Sequence, residues 1–170
     1  GMTYKAAAAN IQMGGGKAVV LLPKPGHAAT EAEARALGRF VDSLGGAYIS
    51  AEDVGLSQQY VDWMNEETKY VTGTATCGGD PSPFTAEGVV NAMKAALRHT
   101  DRRVDFAGVK VAIQGAGNVG TNVARILHDL GADLVVADLD DARVRQIVQE
   151  YNAVAVGIDE ILTTRCDILC

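Results

Sequence analysis

No run of apolar residues in this 170-residue sequence reaches the ~18 that a membrane-spanning helix needs. The chain also does not open like a secreted one, since GMTYKAAAAN has no charged segment leading into an apolar core. Basic residues are in deficit, 15 Lys and Arg against 21 Asp and Glu, for a net charge of -6. A surface built for nucleic-acid phosphates is usually the reverse. The three cysteines, Cys77, Cys166 and Cys170, have no spacing that suggests a disulfide framework or a metal site. They read as small buried or half-buried thiols in a reducing compartment. Internal repeats and low-complexity tracts are missing, apart from the alanines at positions 6–9. Together these absences argue against membrane, nucleic-acid and metal partners and point to a cytoplasmic protein.

What remains is an alternation of apolar runs and amphipathic stretches, the pattern of an α/β chain. Residues 17–22 (KAVVLL) predict a buried strand ended by Pro23 and Pro25. A helix is predicted over 31–44, with Thr30 and Glu33 at capping-box spacing and Gly45-Gly46 as its stop. A short strand at 47–50, a helix at 57–67 and a strand at 70–72 follow. The stretch TATCGGDPSPF, rich in Gly, Pro, Ser and Thr, reads as a hinge between two domains, 1–80 and 81–170. Beyond it the order is a helix at 85–99, a strand at 109–114 and a helix at 118–130 closed by Gly131. A strand at 134–138, a helix at 141–151 and a strand at 153–156 come next, with another strand beginning at 166–170. Strands and helices alternating in this way predict a parallel open sheet.

Within VKVAIQGAGNVGTNVARIL, Gly115, Gly117 and Gly120 stand in GxGxxG register. Such a match is weak alone, because glycines are common. Here an apolar strand leads in, and a helix carrying Val119, Val123, Ile126 and Leu127 leads out. Gly115 permits the tight turn, Gly117 lets the backbone approach a pyrophosphate, and Gly120 lets the helix pack on the strand. Asn118 and Val119 then open the helix whose N–H groups would face the phosphates. The next strand ends at Asp138, about 20 residues beyond Gly115, where a carboxylate accepts from ribose hydroxyls and repels a 2′-phosphate. Leu139, Asp140 and Asp141 follow with no arginine immediately after, so the cofactor reads as NAD rather than NADP. The bland alternative makes Asp138 only a turn residue at a strand end.

Two features stand out before the hinge. Lys17 follows Gly14-Gly15-Gly16, but a phosphate loop fails here: Ile11 replaces its first glycine, Ala18 replaces the Ser/Thr, and a strand is predicted to follow. The glycines are better read as letting a substrate or nicotinamide approach the backbone. A lysine in such a dry crevice can be poised as a base. The second feature is Ala51-Glu52-Asp53-Val54-Gly55 after the strand AYIS, with carboxylates where α/β domains bind ligands. Either residue alone is most simply a solvated surface charge.

Taken in order, GMTYKAAAAN-IQMGGGKAVV, ISAEDVG, EETKYVTG, DPSPFTAEGV and GAGNVG closely resemble the leucine/valine/phenylalanine branch of the glutamate dehydrogenase superfamily. The resemblance runs from Gly1 to Cys170. It implies a fold in which part of an amino-acid dehydrogenase catalytic domain precedes part of a Rossmann-type doubly wound parallel sheet. It further implies that Lys5 binds the substrate carboxylate and Lys17 activates the attacking water. Asp53 would shuttle protons at the amine, Ala51 would line the side-chain pocket, and Thr85 would meet the nicotinamide carboxamide.

The expected reaction is reversible NAD-dependent oxidative deamination of a small apolar L-amino acid to the 2-oxo acid and ammonia. Leucine or another branched-chain substrate is favoured over phenylalanine or glutamate. Two rival readings are a shikimate-type enzyme with a Lys–Asp pair and an NAD-binding fragment without catalysis. Three departures from the family pattern are Asp80 where Asn is frequent, Leu56 after AEDVG, and Phe84 for a smaller aliphatic. Family subunits extend beyond both ends, so the chain is expected to be incomplete, with the full-length form a homo-oligomer.

Overall fold

The computed structural model describes all residues except 25–26, 54, 77 and 101–104. The chain forms two compact units, Gly1–Pro81 and Ser82–Cys170. Among the described residues no helix is long and apolar enough to cross a membrane.

The first unit is held together by two helices. Helix α1 (Met2–Ala8) buries none of its residues. Helix α2 (Glu31–Ser43) begins at the predicted capping box: Glu33 N–H donates to Thr30 Oγ1 at 3.3 Å, and Thr30 N–H donates to Glu33 Oε2 at 2.8 Å. It ends where Gly45 and Gly46 take positive φ, 59° and 90°. Helix α3 (Gln58–Asn65) starts with Tyr60 N–H donating to Ser57 Oγ at 3.2 Å. Ala34 and Val41 of α2 bury against Tyr60, Val61 and Met64 of α3, with Val71 closing the cluster. The helices touch at Gly38, where a β-carbon would come 2.7 Å from the Met64 carbonyl oxygen. Arg35 ties their surfaces, donating to Glu31 at 2.7 Å and Glu67 at 3.1 Å and pairing with Glu66. Strand β1 (Ser50–Ala51) pairs in parallel with β2 (Val71–Thr72).

One predicted strand does not form. Residues 17–22 lie in no strand, and Val19 and Leu21 are 78% and 89% exposed. An apolar β-run is buried only if a neighbouring strand takes its N–H and C=O groups. Among the described residues the sheet of this unit holds only β1 and β2, and residues 17–22 pair with neither. Pro25, Val54 and Cys77, each part of a sequence-based expectation, lie outside the described residues. Cys166 is half-buried, whereas Cys170 is exposed, against the expectation of a sheltered thiol.

The second unit is a parallel sheet of four strands in the order β5-β4-β3-β6. Helix α4 (Ser82–Thr100) begins inside the stretch expected to be a hinge, three residues before the predicted start. Strand β3 (Lys110–Gln114), helix α5 (Asn118–Asp129), strand β4 (Asp133–Ala137), helix α6 (Asp141–Tyr151) and strand β5 (Val154–Ala155) follow. A 3-10 turn (Ile161–Thr163) then leads into strand β6 (Ile168–Leu169). Alternation along the strands serves both faces. Val111, Ile113, Leu134 and Val136 face a large core with Val90, Leu97, Val123, Leu127 and Ile147 of the three helices. Ala112, Val135 and Ala137 face a smaller cluster around Ile161. After β3 the chain steps one way to β4 and β5, and β6 returns to β3's other side, so the strand order reverses at the C-terminal end of β3. Open α/β sheets bind ligands at such a reversal.

Candidate functional site

Strand β3 delivers the chain into a turn built on three glycines. Gly115 takes φ of 107°, a conformation side chains other than hydrogen rarely allow, and its N–H donates to Ala137 O at 2.8 Å. Gly117 caps α5, whose first turn has no side-chain cap, so the N–H groups at Asn118 and Val119 remain available to an anion. At Gly120 a β-carbon would collide with the Gly115 carbonyl oxygen and sit 3.0 Å from its carbon. Glycine there brings helix and turn into direct contact, the role expected of the third position.

Asp138 stands at the end of β4, beside this turn. Its Oδ1 accepts from Asp140 N–H at 2.8 Å and its Oδ2 from Ala116 N–H at 2.5 Å. The Asp140 amide, then the Ala116 amide, hold the carboxyl below the usual aspartate range, with Arg143 adding a smaller attraction. Each oxygen accepts only one of these bonds and keeps capacity for a ribose hydroxyl. Asp138 is thus a turn residue whose carboxylate stands beside the glycine turn.

Sequence reasoning passed over Arg143. It lies in the first turn of α6, with Nε 3.3 Å from Asp140 Oδ2, and a β-carbon built on Gly117 would lie 3.7 Å from its Nη1. The signal was available in helical geometry, because a residue three beyond the cap shares the cap's face.

In the first unit the structure brings Lys17 and Asp53 together as an ion pair. The dry crevice expected around the lysine does not form, for the two side chains are 56% and 50% exposed. Two of the adjacent glycines lie against the chain itself, while Gly14 faces open space. Gly15 lies against Met2 and Thr3, where a β-carbon would clash with backbone, and Gly16 faces the Tyr48 ring at 2.8 Å from such a carbon. The loop thus docks on the start of α1, which carries exposed Lys5. Ala51 is exposed on β1, and Thr85 is exposed on the first turns of α4. Between Ala51 and Asp53, Glu52 has its Oε2 enclosed and without a hydrogen-bond partner among the described residues. Burial, and after it the charges of Asp80 and Asp62, push its carboxyl above the usual range. Of the three departures, Asp80 thus acts on Glu52, Leu56 packs on the α2–α3 cluster, and Phe84 is 71% exposed.

Residues 1–70 match the family described as Glu/Leu/Phe/Val dehydrogenase, dimerisation domain, and residues 80–145 match Glutamate/Leucine/Phenylalanine/Valine dehydrogenase. Leucine dehydrogenase of Bacillus subtilis is 43% identical over 171 residues, covering 99% of this chain and 47% of that protein. The crystal structure of L-tryptophan dehydrogenase from Nostoc punctiforme superposes with a TM-score of 0.72 at 40% identity, over 99% of this chain and 47% of that one. A hetero-hexameric glutamate dehydrogenase from Thermus thermophilus shares the fold, with a TM-score of 0.72 at 24% identity over 99% of this chain and 47% of that one. The chain spans about half the length of these relatives.

Proposed function

The chain belongs to the glutamate/leucine/phenylalanine/valine dehydrogenase family, and from that premise we propose that it serves NAD-dependent oxidative deamination of a small apolar L-amino acid. Leucine or another branched-chain amino acid is the favoured substrate, and the 2-oxo acid and ammonia are the products. The observation that carries this reading is the Lys17–Asp53 pair, a proton donor and acceptor in contact, on a chain that also builds the Gly115–Gly120 turn.

The turn fits a dinucleotide. Only hydrogen is tolerated at Gly120, the α5 amides are uncapped, and an ionised carboxylate stands at Asp138. Gly115, Gly117, Asn118, Val119 and Gly120 would hold the pyrophosphate, Asp138 the adenosine ribose, and Thr85 the carboxamide. When bound, NAD supplies the acceptor for hydride from the α-carbon. The chain's own groups do the rest. Lys5 fixes the substrate carboxylate by charge, and Ala51 leaves room for an apolar side chain. Lys17 takes a proton from the water that attacks the imine carbon, and Asp53 exchanges protons with the departing nitrogen. The homo-oligomer expected of this family agrees with the dimerisation description matched by residues 1–70.

Initial rates of NADH formation with leucine, valine, phenylalanine, tryptophan and glutamate test the reading. Turnover highest with leucine or valine and NAD supports it. NADH binding without turnover of any amino acid would leave the non-catalytic alternative standing. The tryptophan dehydrogenase likeness supports an aromatic substrate as the second reading, and a kcat/KM order led by tryptophan or phenylalanine would select it.

A further inference from the structure

Resting on the NAD reading, we propose that Arg143 is a cofactor-binding residue that exchanges Asp140 for the cofactor's pyrophosphate. Its guanidinium already stands beside the place where a pyrophosphate would come, since Nη1 lies 3.7 Å from a β-carbon built on Gly117. Its charge is also felt by Asp138, at the ribose end of the cradle. The charge around it favours a cation at this point. Asp138, Asp140 and Asp141 cluster at the end of β4 and start of α6. A doubly anionic pyrophosphate approaching that cluster is repelled unless a positive group intervenes.

The present partner does not prevent the exchange. Arg143 Nε and Asp140 Oδ2 are 3.3 Å apart, with side chains 54% and 50% exposed, and an ion pair this open is worth little. A planar guanidinium bonding two phosphate oxygens is the stronger arrangement. Asp140 has a separate duty that survives the exchange: its Oδ1 accepts Ala142 N–H at 2.9 Å and caps α6. The arginine is thus held beside the cradle by a residue that can release it without loosening the helix.

Fluorescence titration of NADH, with ADP-ribose and adenosine as competitors, tests the assignment in the purified protein. Arg143→Gln is expected to weaken NADH and ADP-ribose on the order of tenfold and leave adenosine unchanged. The affinity should also fall less steeply with added salt. Asp140→Asn keeps a capping side chain but frees the guanidinium, and is expected to tighten NADH. It also decides the matter if Arg143→Gln does not fold. Wild-type affinity in Arg143→Gln, or in Asp140→Asn, overturns the proposal. So does an equal loss for adenosine, which would place Arg143 on the base, or a loss confined to NADPH, which would place it on a 2′-phosphate. Absence of NADH binding in the wild-type protein instead defeats the NAD reading beneath it.

Discussion

Lys17, on a segment outside any strand, meets Asp53 side chain to side chain, both about half exposed. Asp138 is gripped by two backbone amides, at 2.5 and 2.8 Å, at the end of a strand buried on both faces. The first pair depends on rotamers, and the second on the path of the main chain. Removing an exposed ion pair alters chemistry and leaves the fold in place. Disturbing a backbone-held carboxylate or the glycines around it alters the fold and the site together.

The largest expected effect is chemical and lies in the first unit. If Lys17 is the base of the proposed reaction, Lys17→Ala lowers kcat by about 10²- to 10⁴-fold, the usual loss on removing a general base, with little change in melting temperature. Lys5→Ala instead raises KM if Lys5 holds the substrate carboxylate as proposed, because a charge partner present throughout binding is then lost. Steady-state kinetics and a thermal melt on each variant check both. A drop in stability for Lys17→Ala as large as that for Gly120→Ala would break the contrast.

Gly120→Ala should destabilise the second unit by about 3 kcal/mol, because its β-carbon has only the Gly115 carbonyl to displace. NADH binding should disappear in the same denaturant range where the unit unfolds. Hydrogen exchange sharpens the point: amides of residues 17–22 should exchange rapidly and those of β3 and β4 slowly.

Asp138→Asn should destabilise by about 1–3 kcal/mol, since its amide nitrogen must face one of two N–H donors. The wild-type carboxyl lies below its ordinary value when folded. Its stabilisation is therefore full above the unfolded value near ~4 and is lost as pH falls through the folded one. Acid melts of the wild-type protein should show that limb, and Asp138→Asn should flatten it. If the proposed NAD preference holds, Asp138→Ser erodes it in kcat/KM.

The smallest effect belongs to the α2 cap. Thr30→Ala removes the acceptor for Glu33 N–H and should cost about 1 kcal/mol, with kcat and KM unchanged. Chemical denaturation measures it.

Most of the second unit was legible in the sequence because its signals are local. The 141–151 helix matches α6 residue for residue, since Asp140 both caps it and marks the strand's end. Glycine spacing specified the turn because a β-carbon is excluded at Gly120 by atoms only five residues away. The candidate site was less legible. Lys17 and Asp53 each stood out by local position, beside a glycine run and after a strand, but nothing between positions 17 and 53 states that they touch. Residues 17–22 misled because apolarity reports a tendency to be buried and says nothing of the partner that would do it. Arg143 was passed over because proximity to Gly117 crosses from one βα unit to the next.

By itself the sequence determined the α/β alternation, the capping box, the glycine turn and the carboxylate at the end of β4. Each of these depends on dihedral preference and on contacts a few residues apart along the chain. Tertiary structure alone decided that Lys17 pairs with Asp53, that Gly15 and Gly16 lie against Thr3 and Tyr48, and that Glu52 is enclosed without a partner among the described residues. It also decided that the charge nearest Gly117 is an arginine. Those facts arise where distant segments meet in space, and the energies that bring them together are burial and desolvation, which no short stretch of sequence contains.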